Sequence, residues 1–146
     1  MANIQLNKLR AIYATLKSQN VSYKMGAKAN PLSLPPSKIQ RLDCSGFTRY
    51  AVFHSTTPAL TIPDGTWAQD DYCKDSGWTA VNYAEVGQGK PDELFIAFES
   101  PAPGHVWFIN KGMTLECHGG VGVHSRNWNN KILMKIVTRC YLVPTA

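Results

Sequence analysis

The sequence predicts an α+β fold, with N-terminal helices packed on a central antiparallel β-sheet. Three observations predict it. Apolar residues recur at helical spacing near the N-terminus, strand-type runs take over after Asp92, and short turns join those runs closely enough for antiparallel pairing. The 146 residues, 44% hydrophobic and 17% charged, suit one domain spanning 1–146 with a hydrophobic core.

The elements follow in order. Ile4, Leu6, Leu9, Ile12, Tyr13 and Leu16 predict an amphipathic helix over 4–19, with Asn3 as its cap. Gly26, Pro31, Pro35 and Pro36 make 20–42 a loop, long enough to suggest a functional segment. A second helix is expected over 45–54, a loop with Pro58 and Pro63 over 56–65, and a short helix over 66–74, opened by Thr66 or by the Asp64-Gly65 turn. Strands are expected at 93–98, 105–109, 113–118 and 121–124, with Asn110-Lys111-Gly112 turning between the second and third. Residues 132–143 read as a last strand with a bend. No repeat or low-complexity tract interrupts the pattern.

Composition excludes several classes. No apolar run approaches the roughly 20 residues a membrane helix needs, so no integral membrane association is expected. The net charge of +5 favours encounter with an anionic polymer, but the basic residues are scattered. They form no aromatic-basic stripe, so nucleic acid is not the expected partner. The N-terminus carries no basic segment followed by an apolar one, so no secretory signal is read. The four cysteines Cys44, Cys73, Cys117 and Cys140 contain no C-x-x-C pair. Cys117 and Cys140 would be neighbours only if their strands were adjacent. A zinc site from Cys117, His118 and His124 is disfavoured, because alternation turns Cys117 away from His118.

The chemistry gathers around two points. Asp43-Cys44-Ser45-Gly46-Phe47 puts a cysteine where a proline-broken loop gives way to a helix. Unpaired N–H groups of a first helical turn, and the helix dipole, favour a thiolate there. Small Ser45 and Gly46 leave the sulfur approachable. About sixty residues on, Gly104-His105-Val106-Trp107-Phe108-Ile109 reads as a strand opening on a histidine, begun abruptly after Pro103. His105, Trp107 and Ile109 share one face of it. An imidazole beside Cys44 would take its proton and later deliver it to a leaving amine. A third group must fix that imidazole. A two-residue turn at Lys111-Gly112 pairs Asn110 with Met113 and, counting back, His105 with His118. A direct neighbour therefore favours His118, and a diagonal one favours Glu116. His54, at a helix end, suits the dipole as a cation.

These residues resemble the NlpC-type cell-wall peptidases, papain-like cysteine enzymes that cut peptidoglycan stem peptides. The D-C-S-G-hydrophobic stretch at 43–47 and Gly104-His105-Val106 carry the likeness. Tyr23-Lys24-Met25-Gly26, Ile62-Pro63-Asp64-Gly65-Thr66-Trp67-Ala68-Gln69, Pro91-Asp92-Glu93-Leu94-Phe95 and Thr114-Leu115-Glu116-Cys117 are weaker matches, and together they span about residues 20–125. The resemblance implies Cys44 as nucleophile, His105 as base and, position by position, Glu116 as orienting residue, with His118 its rival. It implies that Tyr23 lines the site and, with the Cys44 N–H, stabilises the oxyanion, and that Asp43 and Ser45 meet the peptide's amino end. Pro91, Asp64 and Trp107 depart from the family pattern. Trp107, where glycine is usual, would narrow the cleft or reshape a substrate pocket.

The function so implied is hydrolysis of an amide bond in a stem peptide, between D-glutamate and the diamino acid, with no metal or organic cofactor. The chain is expected to act as a monomer, made in the cytoplasm and delivered to the wall by other machinery. It would serve as a phage lysin or as a secreted antibacterial effector, and an effector would imply an immunity protein that plugs the cleft. The alternatives are a cysteine acyltransferase of the same superfamily and a wall-binding module without catalysis.

Overall fold

A computed structural model of the protein describes residues 3–99 and 104–146. Helix α1 (Leu6–Ser18), strands β1 (Ser22–Tyr23) and β2 (Arg41–Leu42), and helices α2 (Cys44–Ser55) and α3 (Thr66–Asp75) come first. Strands β3 (Thr79–Ala80), β4 (Leu94–Glu99), β5 (Val106–Asn110), β6 (Met113–His118) and β7 (Gly122–His124) follow, then helix α4 (Lys131–Ile136) and strand β8 (Val137–Val143). The fold is α+β. The six strands of the main sheet run β3-β8-β4-β5-β6-β7, and every neighbouring pair is antiparallel. Among the described residues no helix is long and apolar enough to cross a membrane.

Both faces of the sheet are covered. On one, Leu9 and Leu16 of α1 and Phe47, Tyr50 and Ala51 of α2 pack on Leu94, Ile96, Phe98, Val106, Phe108 and Tyr141. The Phe47 ring meets Tyr13 and Phe108 edge-on, at centroid distances of 6.5 and 6.4 Å, joining α1, α2 and β5. On the other face, Phe95, Ala97, Trp107 and Ile109 lie under Leu133 of α4 and under Tyr83 and Val86 of a 3₁₀ turn, Tyr83–Gln88. Two covered faces explain why β4 and β5 are buried almost end to end instead of alternating with solvent. The alternation of β5 still sorts Trp107 and Ile109 to one core and Val106 and Phe108 to the other.

Several boundaries differ from expectation. Helix α1 starts at Leu6, and Asn3 does not cap it, because Ile4 forms β-bridges with Thr56 and Thr145 and holds the backbone extended. The expected 20–42 loop contains β1 and β2, paired parallel, and a 3₁₀ turn at Pro36–Lys38. Helix α3 follows the turn, with Gly65 at φ +92° in the cap position. The 132–143 segment is not one bent strand. Asn130 accepts the Ile132 N–H at 2.9 Å and starts α4, and the strand begins only at Val137. A short apolar run fits either type of element, and the capping side chain decides this one. The β5–β6 turn has Lys111 at φ +56° and Gly112 at φ +73°, the geometry of a tight two-residue hairpin, and it pairs Asn110 with Met113. Strands β6 and β8 are separated by β5 and β4, so Cys117 and Cys140 are not neighbours, and all four cysteines are free. Pro103 lies outside the described residues.

Because Phe47 ties three elements together with no exposed surface, Phe47→Ala is expected to cost about 3–5 kcal/mol. Urea unfolding should show a lower midpoint with an unchanged slope. A midpoint equal to the wild type's would mean that this contact does not hold the helices to the sheet.

Candidate active site

The start of α2 is built by Asp43. Its backbone is extended (φ −96°, ψ −175°) and its carboxylate accepts the Gly46 N–H at 2.7 Å. Cys44 is thereby the first helical residue, in the turn whose backbone N–H groups lack helical partners. Gly46 has to be small here. A Cβ on it would lie 2.7 Å from the Ala27 carbonyl and 2.8 Å from the Asp43 carboxylate.

His105 stands just before β5, where its carbonyl accepts the Glu99 N–H at 2.8 Å. Gly104 lets helix α3 approach, since a Cβ there would lie 2.8 Å from the Thr66 methyl. The Cys44 sulfur lies 3.9 Å from the Thr66 hydroxyl and 3.8 Å from the Gly104 carbonyl. These are the thiol's hydrogen-bond contacts in this conformation, and His105 lines the same cleft. The imidazole stacks on Trp107 at 5.2 Å, and the Trp107 indole N–H donates to the Tyr83 hydroxyl at 3.1 Å. Its Nε2 is 2.8 Å from Glu116 Oε1, which leaves Nδ1 for the thiol.

Glu116 is fully buried, yet well supplied with donors. Arg126 gives it Nε at 3.0 Å and Nη2 at 2.5 Å, and the Thr114 hydroxyl donates to Oε2. Burial alone would raise its carboxyl, but hydrogen bonds from His105, Arg126 and Thr114 hold it down at about 2. The same balance acts on its partners. Burial works against a charged His105, yet its neighbours Cys44 and Glu116 raise it to about 9. Burial pushes the Cys44 thiol up, and His105, with Thr66 and the Val106 N–H, brings it below the ordinary 9.0. The arrangement favours a thiolate–imidazolium pair.

The other expected residues fall as follows. Glu116, not His118, bonds His105. Counted on from the Phe108–Leu115 pair, the register would set His118 opposite His105 and Glu116 diagonal to it, and a glutamate is long enough to reach the diagonal when Arg126 and Thr114 aim it. The His118 ring is 6.2 Å from that of His105, and its Nδ1–H donates to the Gly119 carbonyl at 3.2 Å. His118 lines the cleft, with its own basicity lowered by burial and by Arg126. Tyr23 also lines the cleft, its hydroxyl 3.8 Å from the Met25 sulfur, and burial beside Cys44 raises its phenol. Trp107 does not line it. The indole is fully buried beneath His105, so it supports the imidazole and touches no substrate space. Asp43 and Ser45 border the cleft but are already bonded to Lys28. His54 donates to or accepts from no site residue; its Nε2 lies 2.7 Å from the Leu32 carbonyl.

Four contributors escaped the sequence reading: Lys28, Thr66, Thr114 and Arg126. Alternation along β6 could have found Thr114, which shares a face with Glu116. No spacing could have found Arg126, which is placed by reciprocal 2.7 Å bonds between its backbone and Thr114. The cleft itself encloses about 810 Å³, room for a short peptide segment. No protein-family model matches the chain, and a search of curated proteins finds no match.

Two expectations follow from the charges. Glu116 stabilises the fold above its ordinary 4.5, and that contribution is lost as pH falls through about 2. His105 contributes below 6.5, and loses it as pH rises through about 9. Thermal midpoints should therefore peak between these limits in the wild type, and Glu116→Gln should flatten both flanks. In NMR titrations, Glu116→Gln should lower the His105 midpoint by about one to three units, and His118→Ala should leave it in place. The reverse order would make His118 the orienting group.

Proposed function

We propose that the protein is a papain-like thiol hydrolase of NlpC type that cleaves an amide bond in the peptidoglycan stem peptide. The observation that carries this reading is Cys44 at the first turn of α2 beside His105, whose far nitrogen is held by the buried Glu116. In the proposed reaction the thiolate attacks the carbonyl carbon, and the oxyanion forms near the Cys44 backbone N–H. The imidazolium protonates the departing amine, the C–N bond breaks and a thioester remains. Water then adds, giving one proton to His105, and the thioester opens to a free acid and the restored pair. Glu116 keeps the ring oriented through both halves and stabilises it whenever it carries the extra proton.

The stem-peptide assignment rests on the motif likeness at 43–47 and 104–106, and on a cleft of about 810 Å³ lined by both Cys44 and His105. The bond between D-glutamate and the diamino acid is the one that likeness favours. Delivery as a phage lysin or as a secreted effector fits equally with a basic chain acting on an anionic wall.

Purified peptidoglycan should lose turbidity with wild type and not with Cys44→Ala, and mass spectrometry of the soluble fragments should show new glutamate carboxyl ends. His105→Ala should reduce turnover by about 10²–10⁴-fold with an unchanged circular dichroism spectrum. The rate should follow a bell. Its acid limb reflects Cys44 ionising below 9.0, and its basic limb reflects imidazolium loss near about 9. Equal clearing by Cys44→Ala would remove the sulfur from the mechanism.

A further inference from the structure

Beside the nucleophile lies a cage made of the Asp43 carboxylate, the Asp64 carboxylate and the Ser45 hydroxyl. It is already filled. Lys28 Nζ sits 2.7 Å from Asp43 Oδ1, 2.7 Å from Asp64 Oδ1 and 2.7 Å from Ser45 Oγ. An ammonium has three protons, and these three acceptors use them all. Asp43 has no spare capacity either. Beyond Lys28 it accepts the Gly26 N–H at 3.1 Å, the Gly46 N–H at 2.7 Å and the Ser45 hydroxyl at 3.4 Å. It is also nearly buried, at 7% exposure.

On the proposed reading, this is where the amino end of the peptide was expected to meet Asp43 and Ser45. A substrate ammonium arriving there would have to displace a tethered one whose geometry is already satisfied. The cation it displaced would then be left close to the one it admitted. The remaining negative charge sits on Asp64, whose side chain is half exposed and screened by water. The mouth near the cage is apolar. Met25 is 71% exposed and Trp67 57% exposed, and both line the cleft. Met25 precedes the glycine that bonds Asp43, and Trp67 lies three residues beyond Asp64. Neither side chain carries a negative charge to hold a second ammonium.

We propose that Lys28 is a specificity-determining residue that closes this subsite to a free amine and selects stem peptides whose amino end is uncharged. Such ends occur in stem peptides still joined through an amide to the glycan. Free stem peptides, which carry a terminal ammonium, would be poor substrates. The assignment rests on the proposed hydrolase reading, and its test separates the two.

Two synthetic stem tripeptides that differ only in a free or an acetylated N-terminus provide the comparison. Wild type should cleave the acetylated peptide with kcat/KM at least about tenfold above the free one. Lys28→Met, which keeps the aliphatic stem, should remove that preference by raising turnover of the free peptide. Equal wild-type rates on both peptides, or a Lys28→Met effect that is the same on both, would overturn the assignment. Calorimetric binding to Cys44→Ala, with Lys28 intact, gives a reading independent of turnover and of how Lys28→Met folds. Tighter binding of the acetylated peptide supports the assignment, and equal binding or a preference for the free amine overturns it. Loss of all Cys44-dependent cleavage would count against the reaction, while the binding comparison would still decide the role of Lys28.

Discussion

The site depends on one buried carboxylate that stays ionised. Glu116 has no contact with water, and an unpaired charge there would be costly. Four donors surround it: two from Arg126, one from Thr114 and one from His105. The fixed negative charge is what allows a nearly buried imidazole to hold a proton, and the positive ring that results favours the Cys44 thiolate over the thiol. The Glu116–His105 step passes through a 2.8 Å contact, and the His105–Cys44 step acts across the cleft that both side chains line. Removing the carboxylate should therefore reach the sulfur, although the two residues sit on different elements.

The fold provides the positions. Strand β6 carries Thr114 and Glu116 on one face, and the hairpin places that face beside His105. Helix α2, pinned to the sheet by Phe47, brings the sulfur to the same cleft. Trp107 works from below. Its indole supports the ring of His105 and is itself fixed through Tyr83, so the second core beneath the sheet has a part in orienting the base. The second core and the cleft are thus joined through one aromatic stack.

Much of this was legible in the sequence, and the reasons for the rest are physical. Period-two alternation sorted β5 and β6 correctly, and the Lys111-Gly112 turn set their register, because both signals are local. The helical start near Ser45 was legible because a proline-broken loop gives way there, and the Asp43 cap, seen only in the structure, sets it one residue earlier at Cys44. The segment 132–136 was not, since an Ile-Leu-Met-Lys-Ile run suits a strand and a helix alike until Asn130 caps it. Counting residues across the hairpin left Glu116 and His118 as rivals, and only the Arg126 guanidinium, brought in by the chain after β7, shows which one is held against His105. The Lys28 cage was also invisible. Residues 28, 43 and 64 come from three separate loops and element starts, and nothing in their spacing announces a contact.

The central claim is that His105 keeps the Cys44 sulfur ionised below the ordinary thiol range. Thiolate absorbance, followed against pH, measures this directly. Burial pushes the other three cysteines up, Cys117 and Cys140 to about 12 and Cys73 higher still, so they stay silent through neutral pH. The account predicts one thiolate appearing below 9.0 in wild type and absent at the same pH in His105→Ala. Identical titration curves for the two proteins would contradict it.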